Sequence, residues 1–370
     1  MNGAHPEVAE TLRSNTARML SDGLAWSDIQ FLAQDITEPA RWCERWVALS
    51  HTYEDLAQQA LTEQATLTAG DLLWRAALCC HFGQGLRMDV DAAEKRQADQ
   101  RKNTLFMQAA PLLWPPMQRV EIPFEGRTLP GYLRLPLPAH LPPHDSGLPC
   151  MVIFGGLDTT KEDALEISNH FVARGMAVLV FDGPGQGEMF HQLPLRVDFH
   201  VAVRAALDWA CSRPEIDARR LGVLGRSTGG HWACTAAAAD ARIKVAIAWG
   251  LIWHLRHFLT LPDALKQRFM RAANTDSEAR ARDFFAPFDL DGVAANIHCP
   301  VMAVQGGKDV LAPAQSVAQL QTQARGEVKI VLYPDSGHCA HDKTYLSKPL
   351  MADFAARHLN ASGAMNTADT

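Results

Sequence analysis

The sequence predicts an α/β fold: a mostly parallel sheet with helices on both faces, preceded by a helical N-terminal region. Two observations carry this reading. From Cys150 onward, short apolar runs of strand length alternate with stretches whose apolar positions recur at helical spacing. Such alternation argues for right-handed crossovers between parallel strands. Between one of these strands and the next helix stands Gly225-Arg226-Ser227-Thr228-Gly229, a G-x-S-x-G pentapeptide. Its glycines permit the close backbone approach that a tight strand-to-helix turn requires.

Residues 1–117 read as a helical domain. Trp42, Trp46, Leu49, Tyr53 and Leu56 recur at three- and four-residue spacing, an apolar stripe along one helix. Thr68 is placed to cap another, with Asp71 in its first turn, and Leu72, Leu73, Ala76, Ala77 and Cys80 carry that helix onward. The charges of both signs from Lys95 to Lys102 read as a solvated helix face. Pro115-Pro116 ends the helical region.

The second domain spans 118–361. Arg119–Gly126 and Leu129–Leu135 read as a hairpin whose prolines suit a sheet edge, and Pro136–Pro149 as a surface loop. Strands follow at 150–155, 177–182, 220–226 and 244–250, with helices at about 160–174, 196–212 and 228–239. Residues 251–298 lose strand regularity and read as a helical insertion over the edge where the strands end, or else as a long crossover. Ser362–Thr370 is polar and reads as a disordered tail.

A serine hydroxyl is a poor nucleophile at neutral pH. It needs a base within hydrogen-bond reach, and the base needs an orienting carboxylate. The helix after Ser227 aims its free N–H groups and positive dipole end at the place where an oxyanion would form. An acid and a histidine follow in chain order. Pro300–Gly307 reads as a buried strand ending in a Gly-Gly turn, with Asp309 just beyond it. Val328–Tyr333 reads as the last strand, with His338 on the turn that follows. The carboxyl ends of parallel strands open on one edge. Ser227, His338 and Asp309 are therefore expected to meet there as nucleophile, general base and orienting acid.

Other assignments stand beside these. Asp309 could cap the next helix. Asp335 is a rival acid, but it lies too close in sequence to His338 to come from a separate strand end. His341 is a rival base at the start of the final helix, and Cys339 a rival nucleophile without upstream support. The oxyanion is expected between the N–H of Thr228 and a second donor where the strand from Cys150 ends in Gly155-Gly156. That donor is the N–H of Leu157 or of Gly156, unless the segment is an ordinary Gly-Gly strand exit.

The formal net charge of −6 over 370 residues, without a basic block, argues against a nucleic-acid partner. The start of the chain lacks a charged n-region and an apolar h-region, and no apolar run approaches a membrane span. A cytoplasmic protein without membrane association is expected. The eight cysteines show no paired spacing, and neither C-x-x-C nor H-E-x-x-H occurs, so no disulfide, metal or cofactor is expected. The partner is a small-molecule substrate. Asp182–Glu188 is glycine-rich but lacks the spacing of a phosphate loop, and it reads as a structural turn.

Several motifs together resemble a known family. They are Gly155–Glu162, Phe181–Glu188, Gly225–Gly230, Gly337-His338 and the hairpin residues Leu129–Leu133. The chain resembles the α/β-hydrolase branch that includes the fermentation-respiration-switch esterase-like proteins, 2,6-dihydropseudooxynicotine hydrolase and the fungal polyketide-shortening hydrolases. The resemblance runs from about Thr68 to Arg357. It implies the α/β-hydrolase fold with a helical N-terminal domain that acts as a lid and helps close the site, and often a homodimer. It also implies hydrolysis of an ester, or of a carbon–carbon bond beside a ketone, in a small aromatic or polyketide-like substrate. An acyltransferase using the same serine, and a non-catalytic binding protein on the same scaffold, are the alternatives.

Overall fold

The computed structural model describes residues 5–85, 92–137 and 147–361. Most of the expected loop at Pro136–Pro149 and all of the expected tail lie outside the described residues. The chain divides into two compact units, one of Met1–Arg119 with Glu162–Glu166, the other of Val120–Lys161 with Ile167–Thr370.

The first unit carries helices α1 (Pro6–Ser21), α2 (Trp26–Asp35), α3 (Trp42–Thr62), α4 (Thr66–Gly85) and α5 (Ala92–Ala109). Trp42 and Trp46 of α3 are buried with ring centroids 5.7 Å apart, and Phe82 of α4 lies 6.1 Å from Trp46. The expected stripe holds for these tryptophans but not for Leu56, which is 46% exposed. The buried line continues through Ser50 and Ala57 instead. The small Ser50 side chain lets α4 come close enough for the Cys80 thiol to reach its hydroxyl at 3.3 Å.

Thr68 is not a cap. The Ala69 N–H donates to the Ala65 carbonyl at 3.0 Å, so α4 starts at Thr66, earlier than expected, and Thr68 lies in its first turn. The stretch from Lys95 to Lys102 is likewise not wholly solvated. Lys95, Ala98 and Lys102 share one face of α5 and are all buried. Lys102 Nζ lies 2.7 Å from Asp99 and 3.5 Å from the fully buried Glu162. Charge alone does not reveal this, because a buried lysine with a carboxylate partner has the composition of a surface one.

The second unit is built on an eight-stranded sheet: β1 (Met117–Phe124), β2 (Arg127–Arg134), β3 (Leu148–Phe154), β4 (Ala177–Phe181), β5 (Ile216–Arg226), β6 (Ile243–Trp249), β7 (Val301–Gly306) and β8 (Val328–Tyr333). The strand order is β1-β2-β4-β3-β5-β6-β7-β8. The pair β2–β4 is antiparallel, and the pairs from β4–β3 through to β7–β8 are parallel. The β1–β2 hairpin occupies one edge, as its prolines suggest. One register row crosses the sheet through Leu179, Val152, Val223, Ala246, Val301 and Val328. Residues a few positions beyond that row therefore leave the sheet on the same side.

The remaining helices are α6 (Leu165–Val172), α7 (His200–Cys211), α8 (Thr228–Ala239), α9 (Asp263–Ala272), α10 (Glu278–Phe285), α11 (Gln315–Gln323) and α12 (Thr344–Ala361). All five residues of β4 are buried, as expected of a parallel strand covered on both faces. Phe199 lies against Trp232 of α8, with centroids 4.2 Å apart and planes 13° from parallel. The expected α/β architecture with a preceding helical region is the one observed. Residues 251–298 hold α9 and α10, short 3₁₀ turns and one β-bridge between His254 and Asp289. Phe258, Phe269, Phe285 and Phe288 pack against one another and join the main core, where Phe288 meets His231 and Trp232 of α8.

Lys102→Met removes the cation and leaves Glu162 charged inside the first unit. The variant should lose about 3–5 kcal/mol of stability in urea unfolding. The Lys102→Met, Glu162→Leu double variant should recover most of that loss. A single variant as stable as the parent would show that the pair contributes nothing.

Candidate active site

Ser227 joins β5 to α8 with φ +63° and ψ −123°, a left-handed conformation that strains any residue but glycine. Its N–H donates to the Trp249 carbonyl at 2.7 Å, and its carbonyl accepts the Gly230 N–H at 2.8 Å. The pentapeptide glycines are needed for contact distance. A Cβ on Gly225 would lie 1.8 Å from the Gly229 carbonyl oxygen, and one on Gly229 would lie 2.6 Å from that of Gly155. The three segments touch backbone to backbone.

The Ser227 hydroxyl lies 2.7 Å from His338 Nε2, and His338 Nδ1 lies 2.7 Å from Asp309 Oδ2. Three residues far apart in sequence thus form one hydrogen-bonded line at the edge where β5, β7 and β8 end. Asp309 also serves its own loop, since its Oδ1 accepts the N–H groups of Leu311 and Ala312 at 2.9 Å each. The orienting contact is present on one oxygen, while the other closes the turn to Ala312; Asp309 does not cap the next helix, since α11 (Gln315–Gln323) begins after Ala314 with no side-chain cap. Asp335 is exposed and pairs with Lys308 at 3.2 Å. The His341 ring lies 5.5 Å from that of Trp249, and the buried Cys339 thiol points to the Trp249 carbonyl at 3.6 Å.

Burial works against a charged His338, but the adjacent Cys339 and the Asp309 carboxylate outweigh it. The imidazole pKa is held well above its ordinary value. His231, one turn into α8, shows the opposite case. It is buried, lies 3.1 Å from the Ile252 carbonyl and stacks on Phe288, and burial pushes its pKa down to about 3. His231 is therefore neutral and structural. His254 and His257 lie in the segment after β6 with their rings 5.9 Å apart, and burial lowers the pKa of His257.

On the other side of Ser227, the loop after β3 carries Gly156 and Leu157. The Gly156 N–H donates to Thr159 Oγ1. Among the described residues, the N–H groups of Leu157 and Thr228 donate to no protein acceptor. The Gln186 amide clamps this loop by donating to the carbonyls of Gly155 and Gly156, both at 2.8 Å, while its oxygen accepts the Gly183 N–H at 3.0 Å. Asp182 accepts the Lys161 N–H at 2.9 Å, the Lys161 ammonium at 2.8 Å and the Glu188 N–H at 3.2 Å. The glycine-rich Asp182–Glu188 segment is the structural turn expected, and it braces the loop before Leu157. Arg268 of α9 pairs with Asp158 at 3.0 Å.

Sequence reasoning missed two polar residues that support this arrangement. The buried Gln305 accepts the Leu251 N–H at 2.9 Å and donates to the Ala312 carbonyl and, at 3.3 Å, to Asp309 Oδ2. Its only signal was a polar residue inside an otherwise apolar strand. Gln186 was visible within its motif, but nothing in the sequence says that it reaches back to Gly155.

The model of the prolyl oligopeptidase family matches residues 166–362. The 2,6-dihydropseudooxynicotine hydrolase of Paenarthrobacter nicotinovorans is 32% identical over 342 residues, covering 92% of this chain and 90% of that one. This chain is an α/β-hydrolase. The crystal structure of the 2,6-dihydroxy-pseudo-oxynicotine hydrolase superimposes with a TM-score of 0.86 at 31% identity, covering 94% of this chain and 97% of that one. The hydrolase phmG of Phaeosphaeria nodorum is 32% identical over 231 residues, 57% of this chain and 51% of the relative. The AbyA5 wild-type structure shares the fold, with a TM-score of 0.72 at 20% identity over 95% of this chain and 99% of that one. This α/β-hydrolase is of the serine-hydrolase type. Among the described residues, no helix is long and apolar enough to cross a membrane.

The elevated His338 pKa sets a pH dependence. An imidazolium cannot accept the serine proton, so kcat/KM should fall as pH drops, with an acid-limb pKa above the ordinary value of about 6.5. Asp309→Asn removes a carboxylate that favours the charged ring. It should move that limb to lower pH and reduce kcat by about 10³–10⁴-fold. A limb that stays in place in Asp309→Asn would exclude the coupling.

Proposed function

We propose that this α/β-hydrolase is a serine hydrolase that works through an acyl-enzyme, with Ser227 as nucleophile, His338 as general base and then general acid, and Asp309 as the carboxylate that orients the imidazole. The observation that carries this reading is the continuous line from the Ser227 hydroxyl through His338 to Asp309, 2.7 Å at each step. Distances of this size allow a proton to pass.

Ser227 Oγ attacks the substrate carbonyl carbon while its proton moves to His338 Nε2. The N–H groups of Thr228 and Leu157 hold the resulting oxyanion. Both lack a protein acceptor among the described residues, and both lie beside the serine turn. Collapse of the intermediate breaks the bond to the leaving group, which takes the proton from His338. Water, deprotonated by His338, then releases the acid and regenerates the serine.

The substrate class we propose is a small aromatic or polyketide-like molecule with an ester, or a carbon–carbon bond beside a ketone. The support is the kinship with a 2,6-dihydropseudooxynicotine hydrolase over nine-tenths of both chains, and with fungal hydrolases over about half of theirs. In carbon–carbon cleavage the departing carbon leaves as an enolate and must gain a proton. The segment Trp249–His257 offers His254 and His257 but no carboxylate for that task.

Ser227→Ala and His338→Ala should each lower kcat by at least about 10³-fold in purified, folded protein. A fluorophosphonate should label the parent and not Ser227→Ala. Labelling of both, or a drop of less than about tenfold, would reject the assignment. A panel of aryl esters and aryl β-diketones separates the two bond types.

A further inference from the structure

Trp249, the last residue of β6, bonds both to Ser227 and to Cys339, the residue that follows His338. Its carbonyl accepts the Ser227 N–H at 2.7 Å. The same carbonyl faces the Cys339 thiol at 3.6 Å, and the Trp249 indole N–H donates to the Cys339 carbonyl at 2.5 Å. We infer that Trp249 is a positioning residue that sets the distance between the Ser227 hydroxyl and the His338 imidazole. This inference rests on the reading of those two groups as nucleophile and base.

The turn after His338 needs such a hold. Cys339 has φ +59° and Ala340 φ +46°, two consecutive non-glycine residues in the left-handed region. Each is unfavourable by itself and persists only where its surroundings impose it. Trp249 supplies that constraint with both its main chain and its ring. The β6 exit is itself anchored, because the Gly250 N–H donates to the Val304 carbonyl at 2.8 Å. The space between Gly250 and the turn is full, since a Cβ on Gly250 would lie 2.4 Å from Cys339 Sγ. The Arg226 guanidinium lies 5.5 Å from the ring centroid of Trp249.

Buried tryptophans of this chain differ in what their indole N–H meets. Those of Trp46, Trp74 and Trp232 have no hydrogen-bond partner among the described residues, while those of Trp42 and Trp253 bond to the Phe82 carbonyl and to Asp291. The N–H of Trp249 is committed to the residue that follows the histidine.

The test uses the full chain with Trp249→Phe, which keeps the main-chain carbonyl and most of the ring while deleting the N–H. Active serines are counted by fluorophosphonate titration, so that unfolded protein does not enter the rate. Turnover of an aryl acetate per titrated site should fall about 10–100-fold, with KM within about twofold and the labelling rate constant reduced in step with kcat. Unchanged kcat per titrated site, or a loss expressed wholly in KM, overturns the inference. Should Trp249→Phe not fold, Cys339→Ala and Cys339→Ser replace it. Cys339→Ala should slow turnover several-fold at constant KM, and Cys339→Ser, which keeps a donor toward the Trp249 carbonyl, should restore it. Parental rates in both overturn the inference. Ser227→Ala is measured alongside. If it retains turnover, the underlying reading fails and this inference with it. If it is inactive while Trp249→Phe turns over like the parent, this inference alone fails.

Discussion

The backbone at Ser227 is the constraint from which the rest of the site follows. A non-glycine residue at φ +63° carries a conformational cost of about 1–3 kcal/mol. That cost is offset by packing that any side chain at Gly225 or Gly229 would prevent. The end of β5, the first turn of α8 and the exit of β3 meet as bare backbone. The serine hydroxyl is thereby lifted off the sheet. It meets His338, and the neighbouring N–H groups of Thr228 and Leu157 donate to no protein acceptor among the described residues.

Around this turn, buried polar groups are matched to specific partners, and each match fixes a loop. Asp309 divides its oxygens between His338 and the N–H groups of its own turn. Gln305 ties that acid loop to the β6 exit. Gln186 ties the loop before Leu157 to the glycine-rich turn after β4. Asp182 and Lys161 brace that turn from within. A buried amide with no partner would be costly, so such residues make the loop positions definite. The site thus reads as four loop segments joined by side-chain amides and carboxylates, each rooted in a rigid strand.

How far the sequence could be read follows from the same physics. Parallel strands covered on both faces become apolar runs, so β3 to β7 were visible with bounds that differ by only a few residues. The bounds of α8 and β8 coincide with those expected, because glycines and prolines punctuate them. The readings that failed depended on which way a face points. Lys95 and Lys102 looked solvated and are buried, Leu56 looked buried and is exposed, and α4 begins before the Thr68 expected to cap it. Local composition does not say what a helix packs against.

The sequence by itself determined the order of elements, the strained serine turn and the positions of an acid and a histidine beyond later strand ends. These depend on local chemistry: the apolar period, the glycines at contact points and the polar residues that break a strand. Only the tertiary structure decided that His338 stands 2.7 Å from both Ser227 and Asp309, that Gly156 spends its N–H on Thr159, and that Trp249, Gln305 and Gln186 join the loops. Apart from the local Gly156–Thr159 and Gln305–Asp309 contacts, those relations link residues tens to more than a hundred positions apart. They arise from the twist and register of the sheet, which a linear pattern does not encode.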